Sequence, residues 1–357
     1  MVRMKTLKLF IEGRFLDSYI YSGLLFLLGE DYVLSIYKWD NIVEKTTTLN
    51  NSHAFIDVLI DSTESIPQSD IKLFISLNDI KQSHLSSIRL NNWPSDINVY
   101  ANILYISSED GVIRYNLDYK NGTLTNEFLI YDGSSFSISP NSSNRLAIAA
   151  GKDGVLTFIP LSKYLNRNYV EEFISEPCMD VDWQSTVLLA NTVNGVHRAN
   201  YLPRPEMKEF NDKQIFFEKF KEFKQYRPTP ISQEQVHLSW VGGDKVYYLN
   251  NDNSISIESI WKNNKVKKSK NYISSNIIKA KSAAFGAILE TESDLYFINQ
   301  SDAIKIHSEP VNWRVFPRAK NYSNHLHIIS EDTIEIRIIS EQNNILGFEP
   351  DRIDEKG

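Results

Sequence analysis

A single cysteine, Cys178, in 357 residues excludes an intramolecular disulfide, and with it the stapled architecture of small secreted domains. Long apolar runs are missing too: Leu24 to Leu28, the most apolar stretch, falls far short of the roughly 20 residues that span a bilayer. The first fifteen residues mix Arg3, Lys5, Lys8, Glu12 and Arg14 with apolar side chains. No export signal is expected among them, no membrane contact is implied, and a reducing, cytoplasmic location is the expectation. A basic excess is also lacking. Lys and Arg number 38 against 45 Asp and Glu, a formal charge of −7, which argues against a protein built to bind nucleic acid. The sequence holds no glycine-rich phosphate loop and no Gly-x-Ser-x-Gly elbow. Nucleotide use and serine-hydrolase chemistry therefore have no support, and no cofactor is expected.

What is present is a repeat. A short apolar strand, a tight acidic or glycine-bearing turn and a second strand of alternating side chains recur along the chain. The turns are marked by Asp31, Asp110, Asp153, Asn194, Asn253, Glu292 and Asp332, at spacings of 79, 43, 41, 59, 39 and 40. Asp110-Gly111, Asp153-Gly154 and Asn194-Gly195 are strong hairpin signals, because glycine accepts the positive φ that a tight hairpin turn demands. A period near 40 filled with short strands predicts the blades of a β-propeller, small sheets that bury their faces only by stacking around an axis. The fold expected is all-β: one seven-bladed propeller over 1–345 with a short helical insertion and a tail over 346–357. Eight blades is the alternative, because the longest gap leaves room, over 50–92, for either an insertion or a divergent blade built from Ala54 to Ile60, Ile71 to Leu77 and Leu85 to Leu90. The early strand Leu7 to Phe15 is expected to pair into the last blade and join the chain ends.

The 59-residue gap holds the helical insertion, 208–228. Phe216, Phe217, Phe220 and Phe223 recur there at helical spacing among Glu and Lys, an Asn211-x-x-Gln214 pair resembles a cap, and Arg227-Pro228 supplies the stop. This amphipathic helix either folds back on the propeller or offers Phe216, Phe220 and Phe223 to a partner groove.

At Val33-Leu-Ser-Ile-Tyr-Lys-Trp39-Asp40 a hairpin strand ends in Trp-Asp, and Val112-Ile-Arg-Tyr-Asn-Leu-Asp118 has a related ending. In period and hairpin, nearly the whole chain resembles the WD-repeat propellers. The Gly-His pair that opens such repeats is absent, so their Asp-His-Ser/Thr-Trp hydrogen-bond network is not carried over. The resemblance implies a scaffold without chemistry of its own.

Candidate chemistry is sparse. His325 and His327 lie two apart on a strand and share a face, but zinc needs a third ligand; the plainer reading is a partly exposed blade surface. Cys178 precedes Met179-Asp-Val-Asp-Trp183, read as an innermost strand in which the thiol is a small apolar filler. Trp183, Trp240 and Trp313 fall in inner strands of three blades, either as an aromatic binding surface at the channel or as wedges between blades. The turns carry Glu30, Asp31, Glu109, Asp110, Asp153, Asp252, Glu290, Glu292, Glu331 and Asp332, ten acids against Lys152, about −9 on one rim. Asp suits tight turns for backbone reasons, so the acidity is either turn chemistry or a surface that attracts a basic segment of a partner protein. Lys262, Lys265, Lys267, Lys268, Lys270, Lys279 and Lys281 read as a basic patch, either a solvated loop and edge strand or a contact for phosphates or an acidic partner. The function expected is a non-enzymatic scaffold or adaptor binding one or more proteins. The rival is a propeller enzyme or ligand binder with its site at the channel mouth.

Overall fold

The computed structural model describes residues 6–61, 70–141, 145–160, 168–184, 186–200, 229–231, 236–260, 267–268, 273–283, 285–298 and 303–339. The 208–228 insertion, with Phe216, Phe220 and Phe223, and the 346–357 tail lie outside the described residues.

Seven sheets stand in a ring, a seven-bladed β-propeller, and within each the four blade strands pair antiparallel. From inner strand a to outer strand d, blade 1 comprises Phe15–Tyr21, Leu24–Gly29, Val33–Lys38 and His84–Arg89, and blade 2 Pro94–Tyr100, Ile103–Ser108, Gly111–Asp118 and Thr123–Tyr131. Blade 3 is Ser137–Asn141, Arg145–Ala149, Val155–Pro160 and Asn168–Ile174; blade 4 is Cys178–Gln184, Val187–Thr192, Gly195–Asn200 and Thr229–Ile231. Blades 5 and 6 are Val236–Gly242, Lys245–Asn250, Ile255–Ser259, Lys267–Lys268 and Ile277–Ala283, Gly286–Thr291, Asp294–Ile298, Ala303–Ser308. Blade 7 takes Asn312–Val315, His325–Ile329 and Thr333–Ile339 from the end of the chain and closes with Thr6–Glu12 from its start. The expected joining of the chain ends is therefore what closes the ring, while Phe15 opens blade 1 instead.

Each seam between blades holds its own apolar cluster, for instance Leu24, Phe26, Ile97 and Leu104 between blades 1 and 2 and Val187, Leu189, Val241 and Val246 between blades 4 and 5. The b strands are buried at nearly every position because blades cover them on both sides, whereas the c strands alternate more and carry polar side chains such as Arg114, Arg198 and Glu258. The turns between them obey the glycine logic: Gly111, Gly154 and Gly195 all have positive φ, and a Cβ on Gly154 would run into the Ile174 carbonyl.

The long gap is an insertion, not an eighth blade. Strand c of blade 1 runs directly into helix α1 (Trp39–Leu49), followed by a single 3-10 turn, His53–Phe55, and helix α2 (Ile56–Ile60). Trp39 of the Trp-Asp pair thus opens a helix; its indole N–H donates to the Leu59 carbonyl at 3.0 Å. Ala54 to Ile60, a strand candidate by apolar content, is helical because its apolar Val58 and Leu59 pack on α1 rather than on a sheet. Ile71–Ile75 is a strand, but it pairs in parallel with Thr6–Glu12 and becomes the fifth strand of blade 7. After helix α3 (Leu77–Ile80), the chain returns to complete blade 1 with His84–Arg89.

Candidate interaction face and channel mouth

Antiparallel alternation places the described b–c turns and d-to-a connectors on one face of the ring, and the described a–b and c–d turns on the other. The sequence-predicted acids Glu30, Asp31, Glu109, Asp110, Asp153, Glu331 and Asp332 all fall on that first face, together with Asp252 and Glu292. The connectors add Asp132, Glu176 and Glu309, which the hairpin pattern did not reach. Arg14 and Lys152 are the bases among the described residues there. Glu290 does not belong to it: it lies in strand b of blade 6 and accepts the Trp313 indole N–H at 2.6 Å.

Connectors tie the turns down through backbone bonds, with Gly13 N donating to Asp332 O at 2.9 Å, Leu90 N to Tyr32 O at 2.9 Å, Ser135 N to Ser108 O at 3.0 Å and Glu309 N to Ser293 O at 2.7 Å. Several turn acids have local work. Asp31 accepts from Val33 N, Asp110 from Asn92, and Asp153 from the Tyr131 hydroxyl. Burial and then the Asp153 carboxylate push that phenol up to about 12. Arg14 lies 3.6 Å from Glu30 and 3.4 Å from Asp332, bridging the first and last blades.

The inner strands begin on this face with a shared irregularity. In blades 1, 2, 4, 5 and 6 the a–b register slips by one residue at Leu16, Ser95, Met179, His237 and Ile278. Blades 3 and 7 repeat the two-against-one pattern, with Phe136 N donating to Ala149 O while Ser137 pairs with Ala149, and Val311 N to Ile329 O while Asn312 pairs with Ile329. A bulge turns the extra residue out of the alternation. Phe136, Met179, Ile278 and Val311 are 42, 51, 51 and 49% exposed in consequence, and they collar the channel mouth. Phe136 lies over Gly151, where a Cβ would come within 2.5 Å of its ring.

Just below the collar, charge crosses the channel. Arg314 of blade 7 makes a two-pronged contact with Asp17 of blade 1 at 2.6 and 2.5 Å and reaches Asp96 of blade 2 at 3.0 Å. Asp96 in turn accepts Ile138 N of blade 3 at 3.1 Å, and Ser137 of blade 3 donates to Asp180 of blade 4 at 3.1 Å. Asp182 accepts Val241 N of blade 5 at 3.0 Å, and Lys281 of blade 6 lies 3.6 Å from both Asp180 and Asp182. Lys279 closes the circuit by donating to Asn312 and to the Trp313 carbonyl of blade 7 at 3.2 and 3.3 Å. One polar network thus joins all seven blades.

Its titration follows from burial against charge. Burial alone would depress Arg314 and Lys281, but Asp17 and Asp96 for the first and Asp180 and Asp182 for the second overcome it, and both stay above their ordinary values. Lys279 sits lower than usual, because burial outweighs Glu290 and Arg314 adds repulsion. Burial also raises the Asp96 carboxyl against the pull of Arg314.

No protein-family model matches the sequence, and no curated protein matches it significantly.

Three sequence-predicted sites are corrected by this geometry. Trp183, Trp240 and Trp313 are 0, 0 and 1% exposed and cannot present a binding surface. They wedge between blades: Trp183 under Arg145 at 4.9 Å, Trp240 stacked on Tyr247 with its indole N–H on Ser282 at 2.7 Å, and Trp313 under Lys279 at 4.7 Å. Lys279 and Lys281 leave the basic patch for the channel, while Lys267–Lys268 form the outer strand of blade 5 and Lys262, Lys265 and Lys270 fall outside the described residues. His325 and His327 are not surface residues but are both 0% exposed. Their rings pack with Trp39, Tyr322 and Phe316, and His327 Nδ1 meets the Ser18 hydroxyl at 2.8 Å. Cys178 is buried in an inner strand, where burial pushes its thiol up to about 12. Among the described residues, no group of three His, Cys, Asp or Glu side chains is placed to hold a metal ion, and no helix is long and apolar enough to cross a membrane.

Proposed function

We propose that this protein is a non-enzymatic interaction scaffold whose acidic face receives a basic segment of a partner protein. The observation that carries the reading is the one-sidedness of that face, twelve carboxylates against Arg14 and Lys152 among its described residues. β-Propellers often serve as interaction scaffolds. Fixed like charges on pinned turns speed the encounter with an oppositely charged partner and reject nucleic acid. The rival reading, a ligand site in the channel, would have to pull Arg314 or Lys281 away from carboxylates that already satisfy them. A cytoplasmic setting suits the lone thiol.

The test is affinity purification from the native cell at low salt with the wild-type chain and with Glu109, Asp110, Glu331 and Asp332 all changed to Lys. Partners recovered with the first and lost with the second, and also lost from the first at high salt, support the reading. Equal recovery by both chains overturns it.

A further inference from the structure

Among the described residues, eleven large apolar side chains are exposed, and six of them, Trp93, Phe136, Met179, Val193, Ile278 and Val311, lie on the acidic face. Exposed apolar side chains scattered singly need no explanation, whereas their concentration on one face marks a contact surface. Four of the six occupy equivalent positions, the bulged residue that opens an inner strand. Regular pairing would turn such residues into the alternation of the strand, and bulges recur next to functional sites because they re-aim a side chain. Repetition of the device in all seven blades makes the collar a property of the ring.

The occupant follows from what surrounds the collar. An apolar side chain set among the four apolar collar residues would leave its flanking residues over b–c turns that carry Asp110, Asp153, Glu292 and Glu331. Acidic flanks would be repelled and neutral ones would gain nothing. We infer that the collar takes a short partner segment in which one bulky apolar side chain is flanked on both sides by lysine or arginine. This rests on the interaction reading above and adds to it the position and chemistry of the anchor, the apolar side chain being the hot spot and the charges its steering rim.

The experiment uses fluorescein-labelled short peptides with Leu, Phe or Trp between Lys/Arg flanks, matched peptides with Ser at the centre, and a set with Glu flanks. Each is titrated by fluorescence anisotropy against the full chain, against Met179→Asp with Ile278→Asp, against the milder Met179→Ser with Ile278→Ser, and against Tyr119→Asp on the opposite face as control. Circular dichroism and melting confirm that each variant is folded. The expected result is a preference of roughly tenfold or more for the apolar centre, abolished in both collar variants and kept in the control. The Asp variant is decisive because it makes the face more acidic: a purely electrostatic surface would bind the basic peptides more tightly, and the collar predicts weaker binding. Equal binding of apolar-centred and Ser-centred peptides, binding no better than that of the Glu-flanked set, or a preference that survives the collar variants overturns the inference. Charge reversal of the turns separates the two readings. If it weakens all basic peptides while none shows a centre preference, the acidic-face scaffold stands and the collar falls; if it changes nothing, the scaffold reading falls.

Discussion

At the scale of single residues, the two buried histidines set a pH limit on the fold. Burial holds His325 down to about 3, and burial, the neighbouring His325 and Arg314 push His327 well below its ordinary value, so both rings are neutral in the native protein. Unfolded imidazoles take up protons near 6.5. As pH falls below that value the unfolded chain gains protons that the folded chain refuses, and stability declines by up to roughly 1.4 kcal/mol per pH unit for each histidine. For His325 the loss is complete near 3. Urea denaturation between about pH 7.5 and 5, above the range where most carboxylates titrate, should show this slope. His325→Phe with His327→Phe should flatten it, and an unchanged slope in that double variant would refute the assignment. Arg314 gives a second prediction. Its side chain is 16% exposed and holds Asp17 and Asp96 at once; Arg314→Met should therefore cost about 3 kcal/mol, because two carboxylates are left without their counter-charge. Lys281 is more accessible, at 27%, and Asp180 and Asp182 keep Asn191, Ser137 and Val241 N as donors. Lys281→Met should cost nearer 1 kcal/mol by the same denaturation measurement.

At the scale of elements, closure depends on one strand held from both sides. Thr6–Glu12 pairs antiparallel with Thr333–Ile339 and parallel with Ile71–Ile75, so the inserted strand clasps the strand that closes the ring. Removing residues 1–12 should abolish cooperative melting in calorimetry, since it bares the edges of two strands and opens the cluster around Leu7, Leu9 and Ile11. A truncated chain that melts like wild type would show that the clasp carries no weight. Much of this architecture is legible in the sequence, because a b–c turn is marked within a few residues by Asp, Asn, Glu or Gly between two apolar strands and a local rule suffices to find it. The clasp is not, since a parallel partner some 60 residues away leaves no local trace: Ile71 to Leu77 reads as a strand without saying in which blade. The inner strands misled for a related reason. Asp180 and Asp182, or Lys279 and Lys281, alternate like the exposed side of an ordinary strand, but in a ring that side faces a narrow channel where opposite charges meet. The bulges are invisible because one extra residue does not disturb the apolar pattern around it, although Met179 before Asp180 and Ile278 before Lys279 put an apolar residue next to an inner-strand charge and so mark two of them.

At the scale of the whole molecule, the question is whether the acidity of one face is turn chemistry or a maintained surface, and stability against salt distinguishes the two. Like charges held on one rim repel, and the repulsion is screened over about 10 Å at 0.1 M salt. The aspartates are poor probes because Asp31 holds its own turn and Asp110 holds Asn92 of the neighbouring connector. Glu109, Glu292 and Glu331 are exposed and sit in three different blades, so their replacement by Gln removes charge with little change in shape. If the acids were selected for partner binding at the expense of the ring, the triple variant should be more stable than wild type at low salt, by about 0.5–1 kcal/mol, with the gain vanishing as salt is added. If the acids serve the turns, the variant should be less stable at every ionic strength. Denaturation of the two proteins across a salt series decides between these outcomes without knowledge of any partner. Self-repulsion that the isolated ring would be better without has a physical rationale when a basic segment neutralises it on binding.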